Sequence, residues 1–140
     1  MTTPTPIFPQ LINTPSVQIL PATTNTLVTL YTGGVNGSIV ESILVSSTDT
    51  SARLLQLSIL TGAVSYILGT INIPLSSGTT GAAPAVNLIS STNTAIIPVN
   101  TDSNGNQYIY IGSGSVLQVN CTTTVTTAKI ISLTAQGGDF

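Results

Sequence analysis

The segment DSNGNQ sets Asp102, Asn104 and Asn106 at alternate positions, the spacing of the first oxygen ligands in a calcium loop. The rest of such a loop is missing. Gln107 stands where the sharp bend needs glycine, and Ser113 where a bidentate glutamate closes the coordination shell. The expectation is a plain hairpin turn around Asn104-Gly105, with no metal and no other cofactor. The remaining reactive inventory is small. Glu41, Asp49, Asp102 and Asp139 are the acids, Arg53 and Lys129 the bases, and histidine is absent. Without histidine, neither a Ser-His-Asp nor a Cys-His arrangement can be built. A glycosidase needs two carboxyls held about 5–10 Å apart, and these four acids fall on separate segments. GGVNG (residues 33–37) runs into a strand with no lysine after it, so it is a turn and not a phosphate loop. Cys121 is the sole cysteine and sits in the strand-like VLQVNC, where a small buried apolar group is expected. The chain is expected to be no enzyme.

Two pairs remain. Asp49 and Arg53 flank the turn TDTSAR and are expected to pair across it, at most ~1 kcal/mol if exposed; a contact from Arg53 to a partner chain is the other reading. Tyr108 and Tyr110 project from one face of a strand. They form either a half-buried cross-strand pair or a surface platform for a partner or a carbohydrate. Lys129 is expected within a strand, guarding a sheet edge.

The elements that must position these residues are strands. TLVTLY, SIVESILVSS, ARLLQLSIL, VSYILGTINIP, YIYIGSGS, VLQVNC and KIISLTAQ are separated by turn clusters every 8–12 residues or so. Alternation puts Ile39, Glu41, Ile43 and Val45 on one face, Leu55, Leu57 and Ile59 on another, and Ile67, Ile71 and Ile73 on a third. Thr61-Gly62 predicts a hairpin between the third and fourth runs. AVNLIS, after Pro84, reads as one helical turn, and TAIIPV as a short edge segment. The fold class expected is all-β: an antiparallel two-sheet β-sandwich, immunoglobulin-like or jelly-roll-like, over residues 25–140. Residues 1–24 read as an extended proline-rich N-terminal arm outside it. Ile7, Phe8, Leu11, Ile12 and Val17 are its candidate anchors on a partner.

Charge excludes whole classes of partner. The 140 residues hold 4 % charged side chains and a net charge of −2, against roughly a quarter charged in an average domain. No phosphate-neutralising surface exists for nucleic acid, and no basic patch for a membrane. No apolar run approaches the ~20 residues of a spanning helix. The start has neither the basic nor the apolar region of a secretory signal, which predicts assembly in a cytosol. So little charge leaves little repulsion between copies, and predicts a surface meant to be covered by neighbours.

From Leu30 to Phe140 the chain resembles a known group. LYTGGVNGSIVESILVSSTDTSARLLQLSI, then YILGTINIPLSSGTTG, AVNLI, NGNQYIYIGSGSVLQV and ISLTAQGGDF are similar to small structural proteins of tailed bacteriophages encoded beside the major capsid protein, the head decoration or cement proteins. SSTDTSAR and TAQGGDF are the clearest signatures; the proline-rich arm is not part of them. The resemblance implies a β-sandwich on the outer surface of the virion capsid, made in the host cytoplasm and bridging major capsid protein subunits. It also implies a homo-oligomer, with a homotrimer at quasi-threefold positions ahead of a dimer on twofolds. The alternative is a tail- or fibre-associated sandwich that binds host-surface glycan through Tyr31, Tyr66, Tyr108 and Tyr110. A pilus or surface-layer subunit comes third.

Overall fold

A computed structural model describes residues 8–90 and 100–140. They form two antiparallel sheets, as the alternation predicts. The strands are β1 (Leu11–Asn13), β2 (Ser16–Ile19), β3 (Val28–Thr32), β4 (Ser38–Ser47), β5 (Arg53–Thr61), β6 (Val64–Ile73), β7 (Val86–Asn87), β8 (Asn100–Thr101), β9 (Gln107–Ile111), β10 (Val116–Cys121) and β11 (Ile131–Asp139). The front sheet runs β1-β11-β4-β9-β8, with β2 also on β11 and β7 also on β4. The back sheet runs β3-β10-β5-β6. The chain crosses between sheets after β2, β3, β4, β6, β9 and β10, so the two layers share one core. Its centre is Val40, Ile43, Val45, Leu55, Leu57, Leu117, Val119, Ile131 and Leu133, all buried. Cys121 is buried in it, as expected of a small apolar side chain. The β5–β6 hairpin turns at Gly62, whose φ of 64° suits a residue without Cβ.

Two bulges overturn part of the face assignment. Opposite β4 the ladder slips between Gln136 and Gly137, so that Ser42 pairs Gln136 while Val40 pairs Gly137. The extra residue, Glu41, moves the inward set by one. Val40 is buried, whereas Ile39 and Glu41, expected on the face of Ile43 and Val45, lie on the outer side. A second slip between Leu57 and Ser58 leaves Leu68 unpaired in β6. Leu68 packs against the core and Ile67 is exposed, the reverse of strict alternation. AVNLIS is not a helical turn: Val86 and Asn87 pair with Val45 and Leu44. Lys129 is not in a strand either. Its amide closes a tight turn onto the Thr126 carbonyl at 2.9 Å. TAIIPV (residues 94–99) lies outside the described residues.

The described part of the arm, residues 8–24, does not stand outside the sandwich. β1 and β2 run antiparallel along the free edge of β11, Leu11 opposite Asp139 and Ile19 opposite Ile131. Ile19 is fully buried and Val17 packs against the core. The boundary expected at residue 24 therefore separates two parts of one packed unit. The physical reason is that an edge strand needs donors on one side only. Pro9 and Pro15 flank β1, and between the two short strands the Ala135 amide still finds the Pro15 carbonyl at 2.9 Å.

At the far end of the sandwich, Asp49 is buried between the β4–β5 crossing and the β10–β11 crossing. Arg53 meets it through Nε at 2.7 Å and through a second nitrogen at 3.2 Å. The Ser51 amide, the Thr126 amide and the Thr126 hydroxyl also donate to it. The two residues pair across the turn as expected, and because Asp49 is buried the ~1 kcal/mol ceiling of an exposed pair does not apply. Burial pushes the Asp49 carboxyl up, but the Arg53 guanidinium and the Thr126 and Ser51 donors outweigh it and hold the group well below the usual carboxylate range. Arg53→Ala would leave a buried charge uncompensated and is expected to lower the unfolding free energy by about 3–5 kcal/mol, read from the urea midpoint. Because the folded pKa is depressed, the contribution of Asp49 is complete above the unfolded value of about 4. It falls away as the pH drops below that toward the folded pKa. The stability gap between wild type and Asp49→Asn should accordingly narrow on acidification below about pH 4; a gap constant with pH would show that ionisation of Asp49 adds nothing to stability.

Candidate binding surfaces

The front sheet carries the first candidate surface at its β1 margin. Phe8, Leu11 and Ile12 are exposed there, Ile12 at 85 %. Among the described residues no strand pairs with the outer edge of β1. Val17, grouped with these anchors from the sequence, instead faces the core of its own chain. Ile7 lies outside the described residues. The margin is held by the end of β11. Gly137 and Gly138 are required there by close approach. A Cβ on Gly137 would meet the Ile39 carbonyl oxygen and, at 3.2 Å, the Tyr31 ring. A Cβ on Gly138 would sit 2.6 Å from Pro9 Cβ. The GG of the terminal motif is therefore the slot into which the arm and β4 close.

Next to it, the Asp139 carboxylate gathers the turn before β4. The Tyr31 hydroxyl donates to Oδ1 at 3.0 Å and the Ser38 hydroxyl donates to the same oxygen at 2.5 Å. Ser38 in turn accepts from the Gly34 amide at 2.8 Å. Burial, then the bond to Asp139, pushes the Tyr31 phenol up to about 12. Tyr31 is almost wholly buried, so it offers no ring to an outside ligand.

The second surface is a groove of about 730 Å³ on the outer face of the front sheet, lined by Ile39, Glu41, Asp102, Asn106, Tyr108 and Tyr110 among others. Tyr108 and Tyr110 meet edge to face with centroids 4.9 Å apart, and the tilted Phe140 ring has its centroid 6.4 Å from that of Tyr110. Tyr110 remains 55 % exposed. The neighbouring Tyr110 hydroxyl is the main cause that raises the Tyr108 pKa. Asp102 closes the loop beside them. It accepts from the Asn104 amide at 2.8 Å, the Asn106 amide at 2.9 Å and the Asn106 side chain at 3.2 Å. The Asn106 amide above all holds its carboxyl below the ordinary value. The DSNGNQ segment is the hairpin turn expected of it: Gly105 has φ 83° and its amide meets the Asp102 carbonyl at 3.1 Å. Groups of three or more potential metal ligands are absent among the described residues.

The structure thus separates residues that the sequence could only pool. Tyr108 and Tyr110 come together in the groove. Tyr66 is exposed on the back sheet with Ile67. Arg53 is bound to Asp49 and Thr126, and does not stand free as a surface contact. The groove also recruits Ile39 and Glu41, which sequence reasoning passed over. Their signal was Glu41 itself, a charge within an alternating strand whose bulge turns both outward. Register joins the two surfaces: Ile12 lies opposite Gly138, Gly138 opposite Ile39, and Ile39 opposite Tyr110. This row crosses four strands on one face. No protein-family model and no curated protein matches the chain.

The glycine slot is directly testable. Gly138→Val is expected to push Pro9 out and release β1, so amide exchange at Leu11–Asn13 should accelerate at least tenfold. Amides of β5 and β10 should keep wild-type protection, since Gly138 meets Pro9 and Leu11 and neither of those strands. Unchanged exchange in β1 would show that the strand does not depend on the slot.

Proposed function

We propose that this chain is a non-enzymatic structural subunit of a tailed-phage particle, a decoration or cement protein that binds the outer surface of the head and bridges major capsid protein subunits. The observation that carries the reading is the β1 margin. A short edge strand stitched to the fold displays Phe8, Leu11 and Ile12 to solvent, and among the described residues no strand pairs with its outer backbone edge. Soluble monomers protect such an edge with charge, and this one has none. Strand addition by a partner satisfies the backbone groups, and pockets for alternate side chains supply specificity. A shell of repeated subunits multiplies modest contacts of this kind. The resemblance of SSTDTSAR and TAQGGDF to head decoration proteins supports the same assignment. The chain is expected to act as a homo-oligomer, with a trimer favoured, and to need no cofactor.

The margin also determines how the test must be made. Deleting residues 1–20 would remove Ile19 from the core, so point substitutions at β1 are the clean variants. Leu11→Asp with Ile12→Asp should weaken cosedimentation with emptied heads of the parent phage more than tenfold, while the thermal midpoint stays close to wild type. Imaging of heads saturated with wild-type protein should show density on the outer shell. Failure of wild type to bind heads, or binding by the double variant equal to wild type, would sink the reading.

A further inference from the structure

We infer that the groove between β9, the 102–106 turn and β4 is a binding site for a neutral saccharide, independent of the β1 margin. Its volume of about 730 Å³ lies within the range of small-molecule sites, about 300–1,000 Å³. Charge selects the ligand class. Glu41 and Asp102 line the groove. The chain has only two basic residues. Arg53 is held on Asp49, and Lys129 lies beside Thr48 and Ile130, past the far end of β4. An anionic ligand would meet two carboxylates and no cation. A divalent cation finds no cluster of three ligands among the described residues, and the Asp102 oxygens are engaged by their own loop. A purely apolar ligand would strip water from carboxylates and amides without replacing it.

A neutral sugar ring fits each of these constraints. Its C–H face lies against an aromatic ring, and its hydroxyls donate to carboxylate and amide oxygens and accept from phenol and amide hydrogens. Tyr110 supplies the ring, more than half exposed, in edge-to-face contact with Tyr108 and with Phe140 nearby. The contact matters because a ring already held in place loses little freedom on binding. The Asp102 bonds do the same for Asn106, which stands on a turn closed by four donors to that residue. Glu41 reaches the groove because the bulge turns it outward.

The test uses the full chain labelled with nitrogen-15. It is titrated with neutral tetrasaccharides of glucose, mannose and N-acetylglucosamine, and with an oligogalacturonate of the same length as the anionic comparison. At least one neutral tetrasaccharide should shift the amides of β9 and the 102–106 turn at millimolar concentration, and the oligogalacturonate should bind more weakly. Tyr110→Ala should weaken the neutral ligand about tenfold or more, while Tyr66→Ala, an exposed tyrosine on the other sheet, should bind as wild type. Absence of any neutral titration overturns the inference. So does stronger binding of the oligogalacturonate, or equal losses in the two tyrosine variants. None of these outcomes bears on attachment to heads, so the two readings fail separately.

Discussion

The buried Asp49 carboxylate is the constraint on which the sandwich depends. A two-sheet fold must cross from layer to layer, and at the β4–β5 and β10–β11 crossings the backbone leaves both ladders. Asp49 lies between these two crossings and accepts from the Ser51 amide, the Thr126 amide and hydroxyl, and the Arg53 guanidinium. Ser47 caps the entry by accepting the Asp49 amide at 3.1 Å. A buried carboxylate missing any of these partners would cost more than the pair contributes. Sequence separation makes the tie valuable: Thr126 is 77 residues from Asp49. One acid thus fixes two distant segments in a single geometry.

Asp139 repeats the device at the opposite end, joining β11 to Tyr31 and to Ser38. Asp102 does so within its own turn. Three of the four acids are therefore engaged inside the chain, and Arg53 with them. What remains outside is Glu41, Lys129 and a surface of Thr, Ser, Asn and exposed aliphatic groups. A protein that keeps its charge for internal ties has little left to repel a neighbour. SSTDTSAR and TAQGGDF enclose Asp49, Arg53, the glycine slot and Asp139, so these two motifs close the fold. They carry the shape of the scaffold.

Only part of this could be read in advance. Strand identity, the β5–β6 hairpin, the burial of Cys121 and the inward set Leu55, Leu57, Leu117 and Val119 follow from alternation, a local signal. The bulges at Glu41 and Leu68 do not. Each is decided by the partner strand, and a single extra residue exchanges inside for outside. The arm reads as separate from the sandwich for a related reason. Proline argues against a central strand, but Pro9 and Pro15 stand beside an edge, where their missing donors cost nothing. The groove was half legible: the strand pattern paired Tyr108 with Tyr110, whereas Ile39 and Glu41 join them only through the β4–β9 register.

The same register relates the two surfaces mechanically. Ile12, Gly138, Ile39 and Tyr110 form one row across four neighbouring strands, so Ile12 and Tyr110 are three strand spacings apart, about 14 Å. A partner that adds a strand to β1 extends the sheet in its own plane. It occupies the edge and does not cover the outer face on which Tyr110 stands. Attachment through the edge, as proposed, would leave the groove open, so that one narrow sheet would present a structural contact and a ligand site at once.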